Sequence, residues 1–300
     1  MRLMNARQKL FGEIKLKNLI IESDNLIAMQ NLLPTYEGKI DVMPIDPPYN
    51  TEIDYIEYKD GNYDNGWINF MQARLEVAHK LLSKKGVIFI HIDENELLSL
   101  TMLCGKIFGV KNILNMVWKK TNERFDQNRK EKPLESGVRR THEYVLLCFK
   151  DRESTTLNPI KQPVWNGKEY LEIEKPLETI IDDLGTTSSA KDEIACLLGD
   201  RAIFSTPKPL KLIKEFVRAG SNKNSIVLDF FAGSGTAGHA VMELNKEDGG
   251  NRRFILITNN ESNICRKVTI PRIQKAIEKF DYKEDLEIVL SEQCNGDKRN

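Results

Sequence analysis

Ser225-Ile226-Val227-Leu228-Asp229-Phe230-Phe231-Ala232-Gly233-Ser234-Gly235-Thr236-Ala237-Gly238 joins three kinds of local signal in fourteen residues. Ser225 to Phe230 is apolar and β-branched, the composition of a buried strand. Gly233, Gly235 and Gly238 then give the spacing GxGxxG, a tight turn that opens a helix. The helix is predicted to run to Leu244, Gly249-Gly250 turns the chain, and Phe254 to Thr258 is a second strand. Strand, helix and strand in that order form a right-handed parallel crossover, so the sheet is expected to be parallel and doubly wound.

The rest of the chain repeats the alternation. Asn18 to Glu22 reads as a strand, and Ser23 or Asp24 caps a helix whose Leu26, Ile27, Met29, Leu32 and Leu33 share helical spacing. Pro34 and Gly38 are expected to end that helix, and Ile40 to Ile45 is the next strand. Residues 51–66 are polar and aromatic, a loop over a site, and Trp67 to Leu82 carries one apolar stripe. Gly86 to Asp93 is a strongly apolar strand, after which Asp93 and Glu96 suggest a capping box for a helix through Phe108. Ile113 to Trp118 and Tyr144 to Phe149 are further strands, separated by an irregular basic segment. Leu210 to Val217 and residues 263–280 read as helices.

Between them, residues 151–205 lack sustained periodicity. The expected division is therefore 1–150, a small inserted lobe at 151–205, 206–291, and a frayed tail at 292–300.

Bulk composition excludes several classes. With 40% hydrophobic and 29% charged residues the chain is globular in type. No apolar run approaches the roughly 20 residues needed to span a bilayer, so no membrane partner is expected. The N-terminus lacks the apolar core of a signal peptide. Cys104, Cys148, Cys196, Cys265 and Cys294 are scattered without a CxxC pair, the usage of a reducing cytoplasm and not of a zinc site. His142-Glu143 has Leu146 where a zincin would need a second histidine, so no metal is expected. His91 reads as a satisfied core residue, and His239 has no partner the sequence can name.

Formal net charge is zero, from 44 basic and 44 acidic residues, but the charge is unevenly placed. Lys119 to Arg140 holds eight Lys/Arg against four acids, whereas 151–200 holds eleven acids and five bases. If nucleic acid binds, Lys120, Arg139 and Arg140 are the candidate phosphate contacts; a solvated charged face is the alternative.

Two stretches carry chemistry. The first follows the strand at 40–45: Asp46-Pro47-Pro48-Tyr49. Two prolines stop any ladder or helix, leaving a rigid corner at a strand's C-terminal end, where open α/β sheets bind ligands. Prolines lack an N–H, so the corner offers acceptors only, the Asp46 carboxylate and the Pro47 carbonyl, beside the Tyr49 ring. That set suits a planar exocyclic amine, with acceptors for both N–H bonds and a face to stack on.

The second stretch is the glycine turn. A nicotinamide enzyme is the first rival reading, but Asp229, four residues before Gly233, sits badly beside a pyrophosphate and well beside an ammonium group. S-adenosylmethionine (SAM) carries an ammonium and no phosphate. Glu261 is a candidate for ribose hydroxyls or a helix cap, Asp24 for an adenine contact, and Lys208, between Pro207 and Pro209, for the methionine carboxylate.

With both stretches in hand, the chain resembles the β group of DNA N6-adenine methyltransferases, and most of all the Mod subunits of type III restriction–modification systems. The matching residues are Ile20 to Leu26, Ile45 to Thr51, Gly86 to Glu96, Thr141 to Tyr144, Pro207 to Pro209, Leu228 to Thr236 and Asn245 to Phe254. The resemblance implies a seven-stranded, circularly permuted Rossmann-like sheet with the strand at 144–149 antiparallel. It implies catalysis at Asp46, Pro47, Pro48 and Tyr49, and SAM held by Asp229, Phe231, Ala232, Gly233, Gly235 and Thr236. The implied substrate is double-stranded DNA with a flipped adenine; a restriction subunit and a homodimer are implied partners. Ala237 stands where the family often has threonine, and the insertion at 151–205 is short and acidic for a target-recognition region. Cytosine-N4 transfer stays open, with Asp46 in place of serine favouring adenine, as does a catalytically silent SAM- or DNA-binding module.

Overall fold

The computed structural model describes residues 18–51, 53–54, 59–60, 66–121, 140–282 and 286–290. Its strands are β1 (Asn18–Glu22), β2 (Ile40–Ile45), β3 (Ile53–Asp54), β4 (Lys59–Asp60), β5 (Leu82–Ile92), β6 (Ile113–Lys119), β7 (His142–Phe149), β8 (Ile160–Trp165), β9 (Tyr170–Lys175), β10 (Ile180–Ile181), β11 (Ile226–Asp229), β12 (Arg253–Thr258) and β13 (Leu286–Val289). The α-helices are α1 (Asn25–Tyr36), α2 (Trp67–Leu81), α3 (Leu97–Phe108), α4 (Thr187–Leu198), α5 (Leu210–Gly220), α6 (Thr236–Asp248) and α7 (Ile270–Phe280).

One sheet organises them, in the order β10-β6-β7-β5-β2-β11-β12-β1-β13. The seven expected strands form its unbroken middle, and β10 and β13 extend the two edges. Strand β7 runs antiparallel to both β5 and β6, as the resemblance implied, while every other pairing in this sheet is parallel.

The strands read as continuous apolar runs because both faces are covered. Successive side chains alternate between two cores: Leu19, Ile21, Met43, Ile45, Ile88 and Ile90 pack under α1, α2 and α3. Ile20, Val42, Val87, Phe89 and Val227 pack under α5, α6 and α7. Strands β2 and β11 are neighbours, with Val227 opposite Val42. From β2 the chain crosses to β5 on one side, and from β11 it crosses to β12 on the other. The paired C-terminal ends of β2 and β11 are therefore the topological switch point, where an open α/β sheet leaves a crevice.

Several expectations are corrected in detail. Helix α1 continues through Pro34 to Tyr36 instead of stopping there; the proline sits in the last turn, where a missing N–H costs one bond. The capping box is absent: Glu96 is the N-cap of α3, and its side chain makes no capping bond to the helix. Asp93 Oδ1 instead accepts from the Asn95 N–H at 2.9 Å. Segment 151–205 contributes to two sheets. The β8–β9 hairpin forms its own two-stranded sheet, but β10 pairs with β6 in the main sheet. Trp118 Nε1 also donates to the Gly185 carbonyl at 3.1 Å, and α4 packs on α7. The expected loop at 51–66, much of the basic segment and the tail lie largely outside the described residues.

Candidate functional site

The crevice at the ends of β2 and β11 measures about 1190 Å³ out to its open mouth, and its lining includes Asp46, Pro48, Lys208, Asp229, Phe231 and Gly233. The proline corner and the glycine turn, 183 positions apart at Asp46 and Asp229, thus face one space.

The corner is held from outside. Trp67 Nε1 donates to the Pro48 carbonyl at 2.8 Å, and Asn50 Nδ2 donates to Glu96 Oε1 at 2.7 Å. Inside, the Tyr49 hydroxyl lies 2.7 Å from Asp46 Oδ1 and 3.0 Å from Glu143 Oε2. The Lys208 ammonium donates to Asp46 Oδ2 at 2.7 Å and to the Tyr49 oxygen at 3.1 Å. It also lies 3.4 Å from Glu143 Oε2, while Lys120 Nζ lies 3.4 Å from Glu143 Oε1. Two carboxylates, two ammoniums and a phenol form one cluster of zero net charge.

The surroundings set its protonation. Burial raises the Asp46 carboxyl above its ordinary value despite the Lys208 charge. Burial pushes Glu143 up as well, but Lys208 and Lys120 outweigh it and hold that carboxyl at about 2. Lys208 stays charged: burial would lower its pKa, and Asp46 and Glu143 more than offset this. Beneath the cluster His91 is fully buried, and neither ring nitrogen has a hydrogen-bond partner. Burial, with the Lys208 charge, takes it down to about 3, so the ring is neutral. The expectation of a satisfied core histidine is corrected on this point.

The glycine turn is built for rigidity. Asp229 Oδ1 accepts the Phe231 N–H at 3.0 Å. Gly235 is the N-cap of α6 at φ 79°, a left-handed backbone that a side chain would strain. Gly238 lets α6 press on its neighbours: a Cβ there would lie 2.7 Å from Ile273 Cδ1 and 2.9 Å from Leu256 Cδ1. Behind the turn, Thr269, in a π-helical stretch at Cys265–Thr269, donates to the Gly233 carbonyl at 2.6 Å. The buried Arg272 Nη1 donates to Ser234 Oγ at 3.0 Å and to Thr236 Oγ1 at 2.8 Å. Thr236 lines the crevice, but its hydroxyl is spent on this bracing.

Asp229 is the feature that asks for a ligand. Burial drives its carboxyl up to about 8, and the Phe231 N–H only partly offsets that. A cation placed beside it would restore its charge, which is the property required of an ammonium subsite.

Other candidates take different places. Asp24 caps α1, accepting from the Ile27 N–H at 3.1 Å, and its second oxygen pairs with Arg74 at 3.0 Å. Arg74 also donates to Asn25 Oδ1 at 2.6 Å, and Asn25 donates to the Phe230 carbonyl at 2.8 Å. Asp24 thus ties α1 and α2 to the glycine turn while lining the crevice. Glu261 is exposed at the rim in a short 3₁₀ turn, Glu261–Asn263. Lys208, expected beside the cofactor's carboxylate, is turned to Asp46 instead, because the half-buried Asp46 and buried Glu143 carboxylates attract it. Lys120 is similarly drawn inward to Glu143, and Arg140 is paired with Glu94; neither is presented as an uncommitted phosphate contact. Arg139 lies outside the described residues. Glu143 was not among the expected site residues; it stands at the start of β7, where a buried acid just before the apolar run Tyr144–Phe149 was the available signal.

Residues 40–268 match the family described as DNA methylase. The chain is 28% identical to the StyLTI type III Mod subunit of Salmonella typhimurium, over 82% of this chain and 53% of that one. It is 25% identical to the EcoPI Mod subunit of Escherichia phage P1, over 82% of this chain and 58% of that one. The chain therefore spans little more than half the length of these relatives. A solved M1.HpyAVI–SAM complex superposes with a TM-score of 0.53 at 18% identity, covering 88% of this chain and 98% of that one.

Proposed function

The chain belongs to this DNA methylase family, and from that premise we propose that it methylates the exocyclic N6 of adenine in double-stranded DNA, using SAM. The observation that carries the reading is the meeting of an acceptor-only corner and a cation-seeking carboxylate in one crevice at the β2/β11 switch point.

SAM, when bound, supplies an electrophilic methyl group on a positively charged sulfur. Asp229 would hold its ammonium, and the main chain around Gly233 and Gly235 would allow close approach of the methionine portion. The adenine is flipped out of the duplex, at a cost of a few kcal/mol, and stacks on Tyr49. Asp46 and the Pro47 carbonyl accept its two amino hydrogens, which turns the nitrogen lone pair out of conjugation and toward the methyl. Alignment of nucleophile and methyl supplies much of the rate. The methylated nitrogen is cationic and releases a proton readily, so Asp46 need not be a strong base.

Asp46 in place of serine favours adenine over cytosine, as the family resemblance implies. The restriction subunit stands as a proposal from the Mod relatives and the homodimer as one from the family resemblance; pull-down with a co-expressed restriction subunit and sedimentation test them.

Incubation with tritiated SAM and mixed genomic DNA, followed by mass spectrometry of the nucleosides, tests the reading. N6-methyladenine is expected; N4-methylcytosine or no incorporation overturns it. Asp46→Ala is expected to lower turnover by at least 10³-fold, an estimate equal to about 4 kcal/mol of barrier, with SAM binding near that of the wild type.

A further inference from the structure

Both oxygens of Asp46 are already engaged: Oδ1 by the Tyr49 hydroxyl at 2.7 Å and Oδ2 by the Lys208 ammonium at 2.7 Å. If Asp46 is to accept from a target amine, as the proposed function requires, one of these donors must give way. Tyr49 is the worse candidate, because its ring belongs to the corner itself and the preceding Pro48 carbonyl is pinned by Trp67 at 2.8 Å. Lys208 has a second carboxylate waiting, Glu143 Oε2 at 3.4 Å. A movement of about 1 Å would turn that contact into a full charge-assisted hydrogen bond.

The route is lined for a cation. Lys208 Nζ lies 5.3 Å from the centre of the Tyr49 ring and 6.0 Å from that of Trp118, both within or at the range of cation–π attraction. Pro207 and Pro209 fix the backbone on either side, so the change falls on the flexible lysine stem.

We infer that Lys208 and Glu143 are positioning residues for methyl transfer: Lys208 occupies the target amine's acceptor on Asp46 until the base enters, and Glu143 then receives the ammonium. The inference rests on the proposed function and goes beyond it by assigning a role to two residues outside the corner and the glycine turn. Once Lys208 has moved, Asp46 faces the amine without a competing cation. The proton lost from the methylated nitrogen passes to the Asp46 carboxylate, its bonding pair staying on nitrogen. Glu143 holds Lys208 away until product leaves.

The groups facing this exchange are Asp46 and Tyr49 from the corner, His91 from β5, Glu143 from β7, and Lys120 after β6. Asp93 beyond β5 and Asp229 beyond β11 act at longer range. Any of them could contribute to a pH profile, so the test compares profiles between variants instead of reading one limb.

Steady-state methylation by the wild type, E143Q, E143D, K208M and K208R would be measured against DNA and SAM concentration. E143Q is expected to lower kcat tenfold or more, with KM for SAM within twofold, and E143D to recover part of the loss. K208M leaves Asp46 and Glu143 without the cation between them, so the acid limb of kcat is expected to move to higher pH, whereas K208R keeps it in place. An E143Q enzyme with wild-type kcat and an unmoved profile overturns the inference while leaving the proposed function standing. A wild type that methylates no DNA overturns both. Should the variants fail to fold, the wild-type structure with a non-transferable SAM analogue and a flipped target base decides it. Lys208 is expected on Glu143 there, and Lys208 still on Asp46 Oδ2 overturns the inference.

Discussion

Asp229 shows how a single buried carboxyl couples fold to ligand. Its folded value of about 8 is far above that of an exposed aspartate. Between about pH 4 and pH 8 the folded ligand-free chain therefore holds a proton that the unfolded chain has released. Stability without cofactor accordingly falls as pH rises through that window, by at most about 1.4 kcal/mol per unit. Binding of a cation reverses the account: it requires the ionised form and must expel the proton. SAM affinity is expected to rise by up to about tenfold per unit from pH 6 to 8. Calorimetry at pH 7 in buffers of different ionisation heat should record close to one proton released. Asp229→Asn should flatten the pH dependence, weaken SAM binding, and raise the melting temperature of the ligand-free protein at pH 8; an unchanged binding profile would refute the assignment. Asp229 and Asp46 were legible in the sequence because each belongs to a short pattern with its own chemistry. The partner of Lys208 was not, because Asp46 is 162 positions away and only the sheet order brings them together.

Elements show the same division. Strands β2, β5, β11 and β12 were legible because burial on both faces makes their runs apolar throughout. The edge strand β13 was not, since its four residues are only half buried and lack that signal. Helix α4 escaped notice because just Ala190 and Ile194 are buried along its 12 residues. Helix α6 offers the sharpest test at this scale. Gly238 was legible as the third glycine of a spacing, and the structure supplies the reason, since an added Cβ would meet Ile273 and Leu256 inside normal contact. Both neighbours are buried on fixed elements, so neither can withdraw without moving α7 or β12. Gly238→Ala is expected to cost about 1–3 kcal/mol by overpacking, and to weaken SAM binding because α6 carries the glycine turn. Chemical denaturation and binding isotherms of the variant check both; wild-type stability would show that the helix can lift off freely.

At the scale of the whole molecule, the insertion divides between structural and outward-facing parts. Strand β10 and helix α4 are stitched to the sheet and to α7, and their removal would open buried surface at Ile181 and Ile194. The β8–β9 hairpin is different. Trp165, Tyr170, Leu171 and Ile173 are all exposed on it, an apolar surface that contributes little to the core. Two-stranded hairpins are marginal alone, and apolar side chains left in water mark contact surfaces more often than stabilising ones. Its three acids, Glu169, Glu172 and Glu174, are matched by Lys161, Lys168 and Lys175, so the hairpin has no net charge and its exposed apolar side chains are what set it apart. Replacement of residues 164–171 by a short glycine turn removes no fully buried side chain. The melting temperature is then expected to stay within about 3 °C of the wild type, the shift that roughly 1 kcal/mol gives in a chain of this size. SAM affinity should be unchanged, because the crevice lies at the ends of β2 and β11 and draws no lining residue from the hairpin. Were the hairpin the target-recognition surface, as expected of the insertion, methylation of DNA would be lost beside an intact catalytic crevice. Retained methylation at the same sites would transfer that duty to the basic segment between β6 and β7.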